Sequence, residues 1–235
     1  MNALFKILKN ELGMQGAILI SNQALTLDVV SDEKLYHLKL FKTDDAEALI
    51  SYANGSVICY LHSGNANIQN EHFSIDIVPG MYFSQKAPCH LRLSPHSTLL
   101  AVSIDDYNCL SSIGGPVEDT GRLKYIDGCS DTLLISPSRL GEPCLNLLHF
   151  PPNTKQTSHH HPSFRFGMVI SGKGVSVTSG KYSNLSPGDC FFIPALLEHK
   201  FDTYDNLMNI IAFHPESDWG PTDEVHPMIN RTIIP

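Results

Sequence analysis

Apolar residues in this chain recur in short runs, many of period two, broken every few positions by Gly, Asn, Ser or Pro. Two stretches carry the pattern clearly, SVICYLHSGNANIQNEHFSIDIVPGMYF and FGMVISGKGVSVTSGKYSNLSPGDCFFIP. Alternation closed by turn-forming residues predicts antiparallel strands in a meander. Helical spacing is confined to two places. The N-terminal MNALFKILKNELG sets Leu4, Phe5, Leu8 and Leu12 among charges and predicts a short capping helix. A further helical turn is expected around Asp44 to Ser51.

The strand pattern is written twice. Gly64 is followed sixteen residues later by Pro79-Gly80, and Gly172 sixteen residues later by Pro187-Gly188, an offset of 108 between copies. The same offset carries Phe83 onto Phe191, and Leu99-Leu100-Ala101-Val102 onto Leu207-Met208-Asn209-Ile210. An internal repeat of this length implies two similar folding units. Between them NCLSSIGGPVEDTGR, rich in Gly, Ser and Pro, reads as a connection. The expected architecture is therefore all-β: two tandem antiparallel barrels, residues 1–110 and 111–235, with a short N-terminal helix.

Composition narrows the function classes. A net charge of −8 without a long Lys/Arg run offers no electrostatic footprint for nucleic acid or an anionic membrane. No apolar stretch approaches the roughly 20 residues of a membrane-spanning helix. With no export segment recognised, the cytoplasm is the expected compartment. The six cysteines are scattered without a CxxC pair, so they are expected to be reduced core residues and not a disulfide or thiolate-metal framework.

Chemistry concentrates in the second copy. In PPNTKQTSHHHPSFRFG, an extended backbone puts His159 and His161 on one face and His160 on the other. Two imidazoles so placed can chelate one ion. His199 follows the Pro-Gly turn and the FFIP run, where a neighbouring strand would return past the first. Three converging imidazoles suit Fe, Zn, Cu, Ni or Co, and imidazole alone does not select among them. A solvated polar loop is the bland alternative for the histidine run.

With these residues in view, the sequence resembles the cupin superfamily, in its two-barrel form. The first cupin motif runs Gly, five residues, His-X-His, three or four residues, Glu, six residues, Gly. Asn153 replaces its leading glycine, His159 and His161 fill the histidine places, and Gly172 closes it. In the second motif Gly188, Pro194 and His199 fall in place, while Ala195 to Glu198 vary the short loop. The likeness spans roughly residues 15 to 108 and 123 to 216. The resemblance implies jelly-roll barrels and one divalent transition metal (Fe, Zn, Ni, Mn or Cu) on His159, His161 and His199.

One departure bears on chemistry. The glutamate that usually serves as fourth ligand is replaced by Arg165. If the strand stays regular, Arg165 shares the parity of His159 and His161 and points into the barrel; otherwise it swings out to a surface carboxylate. Facing inward, it exchanges a negative for a positive charge and suits an anion, notably a carboxylate. In the first copy the offset puts Ser51, Ala53 and Val57 at the equivalent places, and His90 falls one residue short of His199. That barrel is expected to be metal-free, serving packing, pocket walls or dimerisation.

His214 could complete the site as acid or base, or be structural at a strand end. Trp219 is expected to pack the Pro-rich tail on the barrel. The leading expectation is a small-molecule, dioxygenase-like enzyme acting on an anionic substrate, with Arg165 and His214 as catalytic candidates. A metal-dependent isomerase or lyase and a non-catalytic small-anion-binding or sensing protein are the alternatives. A homodimer is expected from exposed strand edges.

Overall fold

A computed structural model describes residues 18–234 together with the backbone of residues 4–6. Two seven-stranded sheets dominate it, each backed by a smaller sheet that closes a barrel. The first large sheet has at its centre Lys34–Lys42, Thr98–Ile104, Ser56–Ser63 and Tyr82–Lys86. The second has the matching centre Cys144–Phe150, Met208–His214, Arg165–Gly172 and Cys190–Ile193. The repeat is therefore structural as well as textual. Gly64 and Gly172 hold φ of 78° and 73°, and Gly80 and Gly188 hold 87° and 88°. These are left-handed turn conformations that glycine adopts without a Cβ penalty.

The central strands read as nearly unbroken apolar runs because both faces are buried. In Ser56–Ser63, Val57, Cys59 and Leu61 join the interior of the first barrel, while Ile58 and Tyr60 join a core shared by both barrels. In Arg165–Gly172, Phe166 and Met168 enter the shared core and Val169 the interior of the second barrel. The two large sheets thus pack back to back. Tyr36 stacks edge-on against Phe164 at 5.3 Å between ring centroids, and lies 6.1 Å from Phe213.

Lead-in strands are exchanged between the halves. Leu19–Ser21 forms the edge of the second large sheet against Cys190–Phe192, and Ser112–Gly114 the edge of the first against Tyr82–Ser84. A cut of the chain at residues 110 and 111 would leave each half holding a strand of the other.

Two expectations about helices are corrected. Leu4–Lys6 is a strand, paired in parallel with Thr26–Asp28, and the rest of the expected N-terminal helix lies outside the described residues. An open sheet edge offers backbone partners at once, whereas a short helix must first complete an unfavourable nucleating turn. Ala48–Tyr52 is likewise a strand, pairing with Cys89–Leu93, where a helical turn was expected. Among the described residues the single α-helix is near the other terminus, Pro227–Arg231, capped by His226 accepting from the Met228 N–H at 3.1 Å. Trp219 does not pack the tail down: it keeps 53% of its surface exposed. Of the six cysteines five are buried, all are free, and Cys109 is partly exposed.

Candidate metal centre

The three predicted histidines meet inside the second barrel. His159 and His199 sit opposite each other in an antiparallel bridge, with His159 N–H donating to the His199 carbonyl at 3.0 Å and the reverse bond at 2.9 Å. Leu196 N–H donates to the His161 carbonyl at 2.8 Å, which ties the loop before His199 to the second ligand. The segment around His159 is not a regular strand but touches its neighbours through isolated bridges. Its extended backbone still holds the alternation: His160 is exposed, and the rings of His159 and His161 lie 4.9 Å apart. His199 lies 4.8 Å from the ring of His159 and 5.2 Å from that of His161. One potential ligand atom from each residue falls within 4.8 Å of the others.

The neighbours of these rings prepare them as ligands. His159 Nδ1 is 2.8 Å from the Thr157 carbonyl oxygen and His199 Nδ1 is 2.8 Å from that of Leu197. A carbonyl oxygen only accepts, so Nδ1 carries the proton and Nε2 keeps the lone pair a metal needs. Thr157 is held in turn, donating from N–H at 2.6 Å and Oγ1 at 3.0 Å to the Asp127 carboxylate. Burial, then the nearby Arg165, lowers His161 to about 3. Burial lowers His199 to about 4. Both imidazoles are therefore neutral across the physiological range, the form that coordinates a metal. The donor set fits a divalent transition metal.

Arg165 faces the same cavity, although Pro162 and Ser163 bend the chain between it and His161. It is 8% exposed, with Nη1 donating to Ser163 Oγ at 2.6 Å, to the Phe164 carbonyl at 3.0 Å and to the Ser163 carbonyl at 3.3 Å. Its buried Nε has no hydrogen-bond partner among the described residues. Burial lowers its guanidinium from the ordinary value, and no carboxylate among the described residues forms a salt bridge with it. His214 lines the cavity at the end of its strand, its ring 6.4 Å from that of His161. Burial, then Arg165, holds His214 well below the ordinary imidazole range. It stands outside the three-histidine group.

The cavity measures about 40 Å³ and is walled by Leu148, Phe150, Phe191, Ile193 and Phe201. Tyr125 and Gln156 also line it, and neither was marked by sequence. Gln156 is fixed by accepting from the Phe201 N–H at 3.0 Å. Tyr125 lies just past the connection between repeats, where no periodic signal indicates which way a side chain points.

The motif positions that lost glycine keep its backbone. Asn153 holds φ of 62° and Leu196, at the glycine place of the second motif, 61°. In the first barrel Ser51 and His90 occupy the paired positions that His159 and His199 hold in the second. They bond each other at 2.9 Å on the exposed face, while Tyr52 and Cys89 take the interior. The one-residue shortfall in the repeat has turned the histidine outward, as a period-two backbone requires.

A cupin-domain family profile matches residues 146–207. No curated protein matches the sequence. Among solved structures, a cupin 2 conserved barrel protein from Leptotrichia buccalis superposes with a TM-score of 0.60 at 15% identity, over 83% of this chain and 89% of that one. The protein Ylba from E. coli gives 0.57 at 13% identity, over 90% and 88%. A salicylate 1,2-dioxygenase from Pseudaminobacter salicylatoxidans gives 0.58 at 9% identity, over 81% and 76%. At these identities the likenesses establish the fold and leave the chemistry to be argued from the site.

Proposed function

We propose, from the premise that this chain is a member of the cupin superfamily, that it is a small-molecule enzyme of the three-histidine mononuclear metal type acting on an anionic substrate. The observation that carries this reading is the convergence of three imidazoles beside a buried cation in one cavity. His159, His161 and His199 would hold a divalent transition metal through Nε2 where their Nδ1 protons are committed to carbonyls. Such an ion, when bound, supplies Lewis-acid polarisation and, as iron, oxygen chemistry.

The chain's own residues do the rest. Arg165 binds the anionic group of the substrate, and the aromatic walls exclude bulk water, which strengthens that attraction. His214, held neutral by burial and by Arg165, lines the cavity as a hydrogen-bonding group that positions the substrate. Because a salicylate 1,2-dioxygenase shares the fold, a dioxygenase-like reaction is the first to test.

The test is elemental analysis of the purified protein, followed by oxygen uptake with a library of carboxylates and thiols under Fe(II) loading. Stoichiometric iron and substrate-dependent oxygen consumption, both lost in His199→Ala, are expected. Zinc without oxygen uptake for any compound would refute the dioxygenase reading in favour of Lewis-acid or anion-binding roles.

A further inference from the structure

The oddity of this site is its charge. Imidazoles coordinate a metal in their neutral form and so contribute none, and the residue at the place where the cupin motif has a carboxylate contributes a positive one. A divalent ion entering the cavity therefore meets an unpaired guanidinium in a water-poor setting, where like charges repel strongly. Arg165 is itself incomplete. A buried cation is ordinarily paired, because burying it alone is costly. Here only Nη1 is engaged, by Ser163 and Phe164, and that engagement orients the group. Among the described residues neither the buried Nε nor Nη2 has a partner.

The Nε–H and Nη2–H bonds of a guanidinium point the same way and form the edge that grips a planar carboxylate with two parallel hydrogen bonds. The unused edge is the one shaped for that ligand. A cavity of about 40 Å³ has room for about three water-sized groups, the scale of formate or acetate.

We propose that the metal centre is anion-gated: a small carboxylate seated on the Nε–Nη2 edge of Arg165 binds together with the metal ion, and each is held weakly without the other. This rests on the three-histidine reading above and adds a coupling to it. The exogenous carboxylate restores the negative charge that the motif glutamate would have carried, and it satisfies the orphaned donor. Because coupling between two ligands is reciprocal, the factor by which the carboxylate tightens the metal equals the factor by which the metal tightens the carboxylate.

The experiment is a zinc titration of the metal-stripped full-length chain in a carboxylate-free, weakly coordinating buffer, repeated with acetate, formate, chloride and sulfate. Acetate and formate are expected to tighten zinc on the order of tenfold to a hundredfold, with the reciprocal gain in acetate binding when zinc is present. Cobalt(II) in place of zinc should show a visible absorption spectrum that changes on adding acetate. Arg165→Glu is expected to bind zinc tightly without acetate and to show no acetate effect. Arg165→Met, which keeps bulk and removes charge, should also lose the acetate effect and guards against a misfolded glutamate variant.

Equal zinc affinity with and without acetate in the unmodified chain overturns the coupling and leaves the three-histidine site standing. An acetate effect that survives in Arg165→Met, or an equal effect from chloride or sulfate, overturns the carboxylate fork. Failure of the unmodified chain and both variants to bind zinc or cobalt under any condition overturns the metal reading together with this one.

Discussion

Acid should unfold the metal-stripped protein through its own metal ligands. In the folded chain His161 is lowered to about 3 and His199 to about 4, while both return to about 6.5 on unfolding. A depressed folded value means that the unfolded chain binds protons first as pH falls. The associated stability is complete above about pH 6.5 and is lost progressively toward the folded values. At pH 4.5 each ring is still largely neutral in the fold and almost fully protonated in the unfolded chain. By linkage this costs about 2 to 3 kcal/mol per ring, or about 5 kcal/mol for the pair. That is a large share of the roughly 5–15 kcal/mol that stabilises a typical domain.

The assay is urea unfolding of metal-stripped protein at constant ionic strength from pH 7.5 to 4.5, beside His199→Gln, whose amide does not titrate. The variant should lose about 2 to 3 kcal/mol less than the parent over that interval, with all other carboxylates and histidines common to both chains. Parallel pH profiles for the two proteins would refute the reasoning. They would mean that the His199 ring is solvated and charged, not held as a neutral ligand.

Other outcomes follow from single side chains. Leu196→Gly should stabilise the chain by up to about 1 kcal/mol in thermal unfolding, because a left-handed leucine carries about 1–2 kcal/mol of strain and glycine returns part of that as unfolded-state entropy; a lowered Tm would contradict the positive φ. Phe166→Ala, truncating a ring with 0% exposure between the sheets, should cost about 3–5 kcal/mol. Its unfolding should remain a single transition because the halves exchange strands, and two separated transitions would argue against that. Asp127→Ala frees Thr157, whose carbonyl orients His159, and should weaken zinc binding roughly tenfold with the fold unchanged by circular dichroism. Unaltered zinc affinity would remove Asp127 from the support of the site.

Much of this protein was determined by its sequence alone. Period-two runs and turn residues act over a few positions, so strands, the 108-residue repeat and the paired left-handed glycines were legible. His159, His161 and His199 were legible for the same reason, since ligand spacing within each motif is short. Only the tertiary structure decided the rest. The rings of Tyr36, Phe164 and Phe213 meet because two sheets stack back to back, a contact between residues far apart in the chain. The strand Leu19–Ser21 finds its partner in the opposite half, which no local pattern encodes. Past the bend at Pro162 and Ser163, parity no longer dictates where Arg165 points. Strand pairing around the cavity turns it inward, just as a one-residue difference turns His90 out. Local periodicity specifies which faces a strand has; the global packing of sheets specifies which of them becomes an interior.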